Sequence, residues 1–465
     1  MIMLHILQNL VWGPALLLLL AVAGVYLTII LKGLQLRHLP RALLLAFWKG
    51  EEEDEAAKKD GDLSHFQALM TTLASAIGTG NIAGVATAVT MGGVGALFWM
   101  WVMAFLGMIL RFGEALLAGK FRVVNEKGEI AGGPMYYLAG GMNLPRLALL
   151  FAVAGAIGAL GTGNMVQVNS VADAFEGSFG VSRLLTGFII CGLTGIVLIG
   201  GVKSIGRVAE VLVPFMALFY LGGCLIVIVQ HASVIPQAFT DILYSAFNGQ
   251  AAVGAFAGVT VMRAVQMGFA RAVFSSEAGL GISSIASASA RSDHPTRHAL
   301  VAMTGVFLST MIVCSVTGLT LAVTGVLGEV DGAGKLLTGT NLVMKAFESL
   351  PFGSWIVTIG LILFAYSTIL AWAFYGEKCV EYFAGVRGRM FYRIIFILLL
   401  FPSSILELEF VWSFADICNG LMAIPNLLAL MLAGPIIKKE TDDFFAMLAK
   451  TRESRREHYE LKKNI

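Results

Sequence analysis

The sequence predicts an all-α polytopic membrane protein of about eleven spanning helices. Of its 465 residues 57% are hydrophobic and 13% charged, with a mean hydropathy of +0.81, too little polarity for a water-soluble surface. Apolar runs long enough to cross about 30 Å of hydrocarbon recur along the chain. Lysine and arginine fall almost wholly on alternate connections between those runs.

The runs lie near 10–32, 66–90, 94–119, 146–175, 183–200 and 207–230, then near 254–286, 298–326, 354–384, 390–408 and 412–433. The first lacks the basic leader and short apolar core of a cleaved signal and reads as a retained span. Alternate intervals and the tail hold nearly all of the 32 Lys and Arg, which sets them on the cytoplasmic side of a cell membrane. The N-terminus is then outside and the C-terminus inside. The outer side keeps Arg183, Lys335 and Lys345, while Arg111, Arg263 and Arg271 lie within spans.

Two outer intervals, 234–247 and 340–350, carry helical patterns that fit either caps over a vestibule or helices resting on the bilayer. The tail from 434 mixes both charge signs and fits a surface helix or a solvated extension equally well. Five cysteines stand singly in apolar surroundings without a C-x-x-C, so they read as packing residues. His294 and His298 are four apart, but Pro295 follows the first and no third ligand is near in sequence; solvated loop histidines are expected.

Within the second run, residues 75–84 read SAIGTGNIAG. Gly78 to Ala83 fits the glycine pattern of a dinucleotide turn, which also requires a preceding strand and an acidic ribose partner about 20 residues on. After Asn81 the next acid is Glu114, so the nucleotide reading fails. The seventh run carries a second interruption, FSSEAGLG at 274–281. With the first span set aside, these two runs open two halves of five spans each, and an odd number per half makes the halves inverted. The units are an extra span and loop (1–65), a first repeat (66–230), an outer loop with a short helix (231–253), a second repeat (254–433) and a cytoplasmic tail (434–465).

Interrupted helices at matching positions of inverted halves point to a transporter site at the midplane, because lipid cannot satisfy the freed backbone. Freed amides near Gly80 suit a carboxylate, with Thr79 and Asn81 adding a hydroxyl and an amide. Freed carbonyls near Phe274 and Ser275 suit an ammonium. The two ends together match a zwitterion, an amino acid. Glycines lining both breaks, Gly80 and Gly279 among them, leave room only for a small side chain. Close helix packing is the competing reading of these glycines.

At this point the chain resembles the alanine or glycine:cation symporters, also called sodium:alanine symporters. The likeness rests on GTGNIAGVATAV (78–89), GALFWMWV (95–102), GGPMYYL (132–138), GNMVQVNSVA (163–172), GVKSIGRVAE (201–210), EAGLG (277–281) and FAYSTILAWAFYGEKC (364–379), in that order. It implies the leucine-transporter fold of inverted five-helix repeats and sodium-coupled uptake of alanine or glycine by alternating access. It also implies a substrate contact at Gln167, three residues after Asn164, and an apolar wall at Trp372. The family usually has Asn where this chain has Ser276, at the border of the substrate.

The resemblance sets the span with Ser367 and Thr368 beside the second. Their hydroxyls, with carbonyls near Ala76 and Gly78, form the expected sodium site; bonding to the preceding turn is the alternative. Two roles compete for Glu277, bracing the break by accepting from the Gly279 and Gly281 amides or carrying a coupling proton. Arg271 is expected to pair with Glu277 or Asp173, and Arg111 with Glu114 at i, i+3.

A passive channel is the first rival and an intramembrane enzyme the second. Two broken helices disfavour the former, and the lack of a His-Glu-x-x-His or partnered G-x-S-x-G disfavours the latter. A proton-coupled symporter is the nearer alternative. No cofactor beyond the coupling ion and no nucleic acid is expected; the partners are a small amino acid, sodium and the lipid bilayer, with a monomer as the working unit.

Overall fold

The computed structural model describes residues 7–8, 11–47, 61–248, 260–330, 332, 334 and 336–463. Lys335 and the stretch 254–259 at the start of the expected seventh span lie outside the described residues. Among the described residues the chain is helical apart from one two-residue antiparallel pair, Val123–Val124 with Ile130–Ala131.

Helix α1 (Pro14–Ile30) is the extra span. The next is cut into α2 (His65–Ala76), a 3-10 turn at Thr79–Asn81 and α3 (Ala83–Gly92). Helices α4 (Ala96–Lys120), α5 (Pro145–Phe179), α6 (Arg183–Ile199) and α7 (Gly201–Gln230) complete the first half. After the outer helix α8 (Ile235–Asn248), the seventh span is cut into α9 (Val261–Ser276) and the short α10 (Ser284–Ala288). Then follow α11 (Pro295–Thr324), the outer α12 (Gly339–Ala346), α13 (Gly353–Ser403), α14 (Leu408–Leu432) and α15 (Gly434–Lys463).

Local sequence explains the starts and breaks. Ser64 and Gln67 form a reciprocal capping box at the head of α2, satisfying two of its orphan donors. Thr260 caps α9 through the Arg263 amide. Among the described residues six helices are long and apolar enough to cross a membrane, and α1, α3 and α6 are shorter apolar helices. This number is below the eleven runs of the sequence partly because two spans are cut into pieces and two others are fused. The fusion corrects the expected loop after residue 384: α13 runs for 51 residues and turns only at Gly385, whose φ of 68° and ψ of −177° break the helical path within one residue.

Exposed Phe188, Ile196 and Ile199 on α6 and Val211, Phe215 and Leu218 on α7 give the bundle the apolar exterior that lipid requires. The helical patterns at 234–247 and 340–350 form helices, Ile235–Asn248 and Gly339–Ala346. α8 packs one face on the protein, with Ala238, Ile242 and Ala246 buried and the Ala246 carbonyl accepting from the Trp99 indole at 3.1 Å.

The structure decides one open expectation, that of the tail, and corrects two, those of the histidines. The tail is a docked helix rather than a solvated one: Ile437, Phe444 and Leu448 of α15 are buried, and Lys120 Nζ lies 2.6 Å from Glu440. His298 is buried, with its Nδ1 3.0 Å from that of His65. His294 caps α11 by accepting from the Thr296 amide and packs its ring on Phe444. Both histidines therefore belong to packed helix starts. Below the Gly385 elbow, Glu129 holds Arg389 and Arg393 forks onto Glu377 at 2.6 and 2.7 Å. Burial is the largest single influence and would raise the Glu129 carboxyl, but the hydrogen bond and charge of Arg389, the charge of Lys378 and the Asn125 hydrogen bond together outweigh it and hold that group below its usual range.

Candidate functional site

The first break spans Ile77 to Ile82 and is held by neutral groups. The Gly78 amide donates to the Ala76 carbonyl at 3.1 Å and to Asn81 Oδ1 at 3.2 Å. The Asn81 amide group donates to the Ser309 carbonyl at 3.0 Å, so this side chain ties the break to α11. Gln167 on α5 accepts from the Thr79 amide at 3.3 Å and donates to the Thr162 carbonyl at 2.9 Å. A π-helical turn at Ala159–Met165 leaves Thr162 available for that bond. The same turn shifts the helix phase, and Asn164 instead reaches the Phe396 carbonyl at 2.6 Å. Asn164 and Gln167 therefore do not act on one face as their spacing implied.

Thr79 is fully buried, and its hydroxyl has no hydrogen-bond partner among the described residues. Buried hydroxyls normally find a partner, which makes this one a candidate ligand contact. Gly80 faces Phe274 so closely that a Cβ there would lie 2.6 Å from the ring. Phe274 in turn stacks on Trp412 at 4.9 Å between centroids. Arg271 lies over both rings and donates to Asp416 at 2.8 Å. This corrects the expected partner of Arg271, since Asp173 pairs with Arg183 at the surface and Glu277 is held elsewhere. The ion pair joins α9 to α14 beside the aromatic lid over Gly80.

The second break spans Glu277 to Ser283 and is held by charges. Glu277 adopts a left-handed φ of 57° and caps α9 through its amide to the Val273 carbonyl at 2.7 Å. Its carboxylate accepts from Ser75 Oγ at 2.9 Å, and Ser75 also meets the Tyr375 hydroxyl at 3.0 Å. The expected brace role belongs to a different acid: Glu114 Oε1 on α4 accepts from Gly279 at 2.8 Å and from Gly281 at 3.2 Å. Asn426 on α14 adds a bond to Glu114 at 2.8 Å and one to the Gly279 carbonyl at 2.9 Å. Arg111 and Glu114 make the expected i, i+3 ion pair at 3.9 Å, and Arg111 also donates to the Ser276 carbonyl at 2.5 Å.

Ser275 and Ser276 point differently. Ser275 Oγ meets Thr310 Oγ1 at 2.9 Å, while Ser276 bonds back to the Ala272 carbonyl at 2.7 Å. Gly107 of α4 lies beside the Ser276 hydroxyl, which thus faces α4 rather than the first break. Trp372 is buried, closes against Gly163 and lies 6.0 Å from Tyr375, centroid to centroid.

Ser367 and Thr368 do meet the first break. Thr368 Oγ1 lies 2.9 Å from the Ala74 carbonyl and 3.5 Å from that of Ser75, and Ser367 Oγ lies 3.3 Å from Ala74. Both hydroxyls also reach the Phe364 carbonyl at 2.9 Å. The carbonyls beside them are thus those of Ala74, Ser75 and Phe364. Those of Ala76 and Gly78, expected from sequence, accept the Gly78 and Asn81 amides within the break. Two hydroxyls and several carbonyls without a carboxylate form a neutral, all-oxygen donor set that suits a hard monovalent cation.

Two broken helices that meet at Gly80 and Phe274, one flanked by an all-oxygen cradle, fit a secondary transporter of the inverted-repeat type. The backbone agrees, since MhsT, solved in complex with L-phenylalanine, matches 82% of this chain and 98% of that one with a TM-score of 0.56 at 14% identity, a likeness of the leucine-transporter fold. The chain belongs to the sodium:alanine symporter family, whose model matches residues 1–458. Sodium/alanine symporter AgcS of Methanococcus maripaludis is 49% identical over 445 residues, 94% of this chain and 95% of that protein. An uncharacterized transporter of Haemophilus influenzae is 46% identical over 442 residues, 95% of each. Family and relatives are sodium-coupled amino-acid symporters and other membrane transporters, not enzymes.

Proposed function

We propose that this chain imports a small neutral amino acid, alanine or glycine, together with sodium by alternating access. The observation that carries the reading is the buried Thr79 hydroxyl, unpartnered among the described residues, beside a Gly80 that packs on Phe274 of α9 and with its amide held by Gln167. Thr79 and the amides near Gly80 bind the carboxylate, and the carbonyls of Phe274 and Ser275 bind the ammonium. Phe274 and Trp372 enclose a side chain no larger than a methyl group, while Gln167 and Asn81 hold the break in shape. The AgcS likeness supports alanine in particular.

Sodium sits between Ser367, Thr368 and the carbonyls of Ala74, Ser75 and Phe364. A tenfold sodium gradient supplies about 1.4 kcal/mol and 100 mV about 2.3 kcal/mol, enough to hold an amino acid roughly 500-fold concentrated. The repeats are 66–230 and 254–433, the working unit is a monomer, and the N-terminus is outside. Lys345→Cys then reacts with an impermeant thiol reagent from outside the cell and Lys127→Cys does not; the opposite pattern reverses the orientation.

The direct test is uptake of labelled alanine into proteoliposomes. Sodium-driven accumulation above the outside concentration is expected. Uptake that only equilibrates indicates a channel, and leucine outcompeting alanine removes the small-pocket assignment.

A further inference from the structure

We infer that Arg111 and Glu114 on α4 are positioning residues for amino-acid binding, replacing across the second break the hydrogen bonds that the helix gave up there. The inference rests on the amino-acid reading of the site. A helix that stops at Ser276 leaves carbonyls without donors, and the backbone resuming after Gly279 leaves amides without acceptors. In a membrane interior neither can turn to water. The i, i+3 pair on α4 answers each end with the matching charge: the Arg111 guanidinium takes the Ser276 carbonyl, and the Glu114 carboxylate takes the Gly279 and Gly281 amides.

The arrangement is specific to these residues. Gly279 and Gly281 have φ of 89° and 79°, conformations that turn both amides toward one Glu114 oxygen. Asn426 closes the loop from the opposite side by bonding both Glu114 and the Gly279 carbonyl, and is itself held by the Tyr137 hydroxyl. Arg111 and Glu114 are 2% and 0% exposed, so the charges act at low dielectric. Arg111 also stands 3.9 Å from Glu277, which accepts from Ser75 at the end of α2. The splint therefore holds the Ser276 carbonyl, next in the chain to the Phe274 and Ser275 carbonyls of the proposed ammonium site, and ties the two breaks to one another.

The test uses the full-length protein in proteoliposomes, with transport counted per folded, inserted molecule. Glu114→Ala is expected to raise the KM for alanine roughly tenfold or more, as loss of a charged hydrogen-bond acceptor implies. Glu114→Gln, which keeps one oxygen for the two amides, should return the KM to within about threefold of wild type. A purely structural role lowers the yield of folded protein and leaves the KM of the survivors unchanged; that result overturns the inference. If Glu114→Ala does not fold, Asn426→Ala decides, with a KM raised several-fold supporting the splint and an unchanged KM refuting it. Should the wild type ignore alanine, the alanine assignment fails by itself, and the same comparison is made with the amino acid it accumulates.

Discussion

The two broken helices meet where Gly80 packs on Phe274 but are held in opposite ways. Around Gly78 to Asn81 every nearby partner is neutral: Gln167, Asn81, Ser367, Thr368 and backbone. Around Glu277 to Gly281 the charged Glu114 and Arg111 join the neutral Ser75 and Asn426, with the Arg271–Asp416 pair between one and two turns earlier on α9. Neutral partners leave the first break's hydroxyl and carbonyl oxygens open to an ion and a zwitterion. Charged partners commit the second break's amides to the protein, so only its carbonyl end remains for a ligand. On the proposed function, the first break binds and the second keeps its shape while the first is loaded and emptied.

The largest expected effect falls on the charged side. Arg271→Gln leaves Asp416 buried without its cation and should lower stability by about 3 to 5 kcal/mol; thermal unfolding in detergent measures it. Little change there would mean that water enters this pair and that the charged region is not sealed.

Adding a methyl group to a glycine of each break sharpens the contrast. Gly281→Ala forces a left-handed φ on alanine, at about 1 to 3 kcal/mol, and drives its Cβ into Asn426, so it should reduce folded protein. Gly80→Ala meets no backbone strain but strikes Phe274, and should cut uptake roughly ten- to hundredfold in protein that still folds. Both variants failing by the same route would erase the division of roles.

A smaller effect follows from Thr79, whose hydroxyl has no partner to lose. Thr79→Val should leave the melting temperature unchanged or slightly higher while raising the alanine KM roughly tenfold. A drop in stability without a KM change would place Thr79 in the framework instead of the site.

How much of this was readable in the sequence follows from how far apart the interacting residues stand. Both breaks were visible because glycine, serine and asparagine interrupt an apolar helical period within a few residues. The two hydroxyls at 367 and 368 were likewise identifiable by type. The partner of Arg271 stands 145 residues away at Asp416, and the acid that braces Gly279 is Glu114 rather than the adjacent Glu277. Choices among several buried acids are made by tertiary packing, which no local pattern records. The π-helical turns at Ala159–Met165 and Phe307–Cys314 were hidden for a related reason: glycine, serine and threonine such as Gly161, Gly163, Ser309 and Thr310 are common in membrane helices, and the extra residue per turn shows only in the changed aim of Asn164 and Gln167. His298 was misjudged because Pro295 marks a loop end while its helix start is packed against His65.

The central claim is that the neutral break binds the coupling ion and the amino acid through separate groups. It is tested most directly by measuring uptake against sodium concentration in Ser367→Ala/Thr368→Ala proteoliposomes beside wild type. Loss of two oxygen ligands should raise the sodium needed for half-maximal uptake roughly tenfold or more, with the alanine KM at saturating sodium within about twofold of wild type. An unchanged sodium dependence, or wild-type uptake that follows a proton gradient with sodium absent, would contradict the account and move the coupling site away from α13.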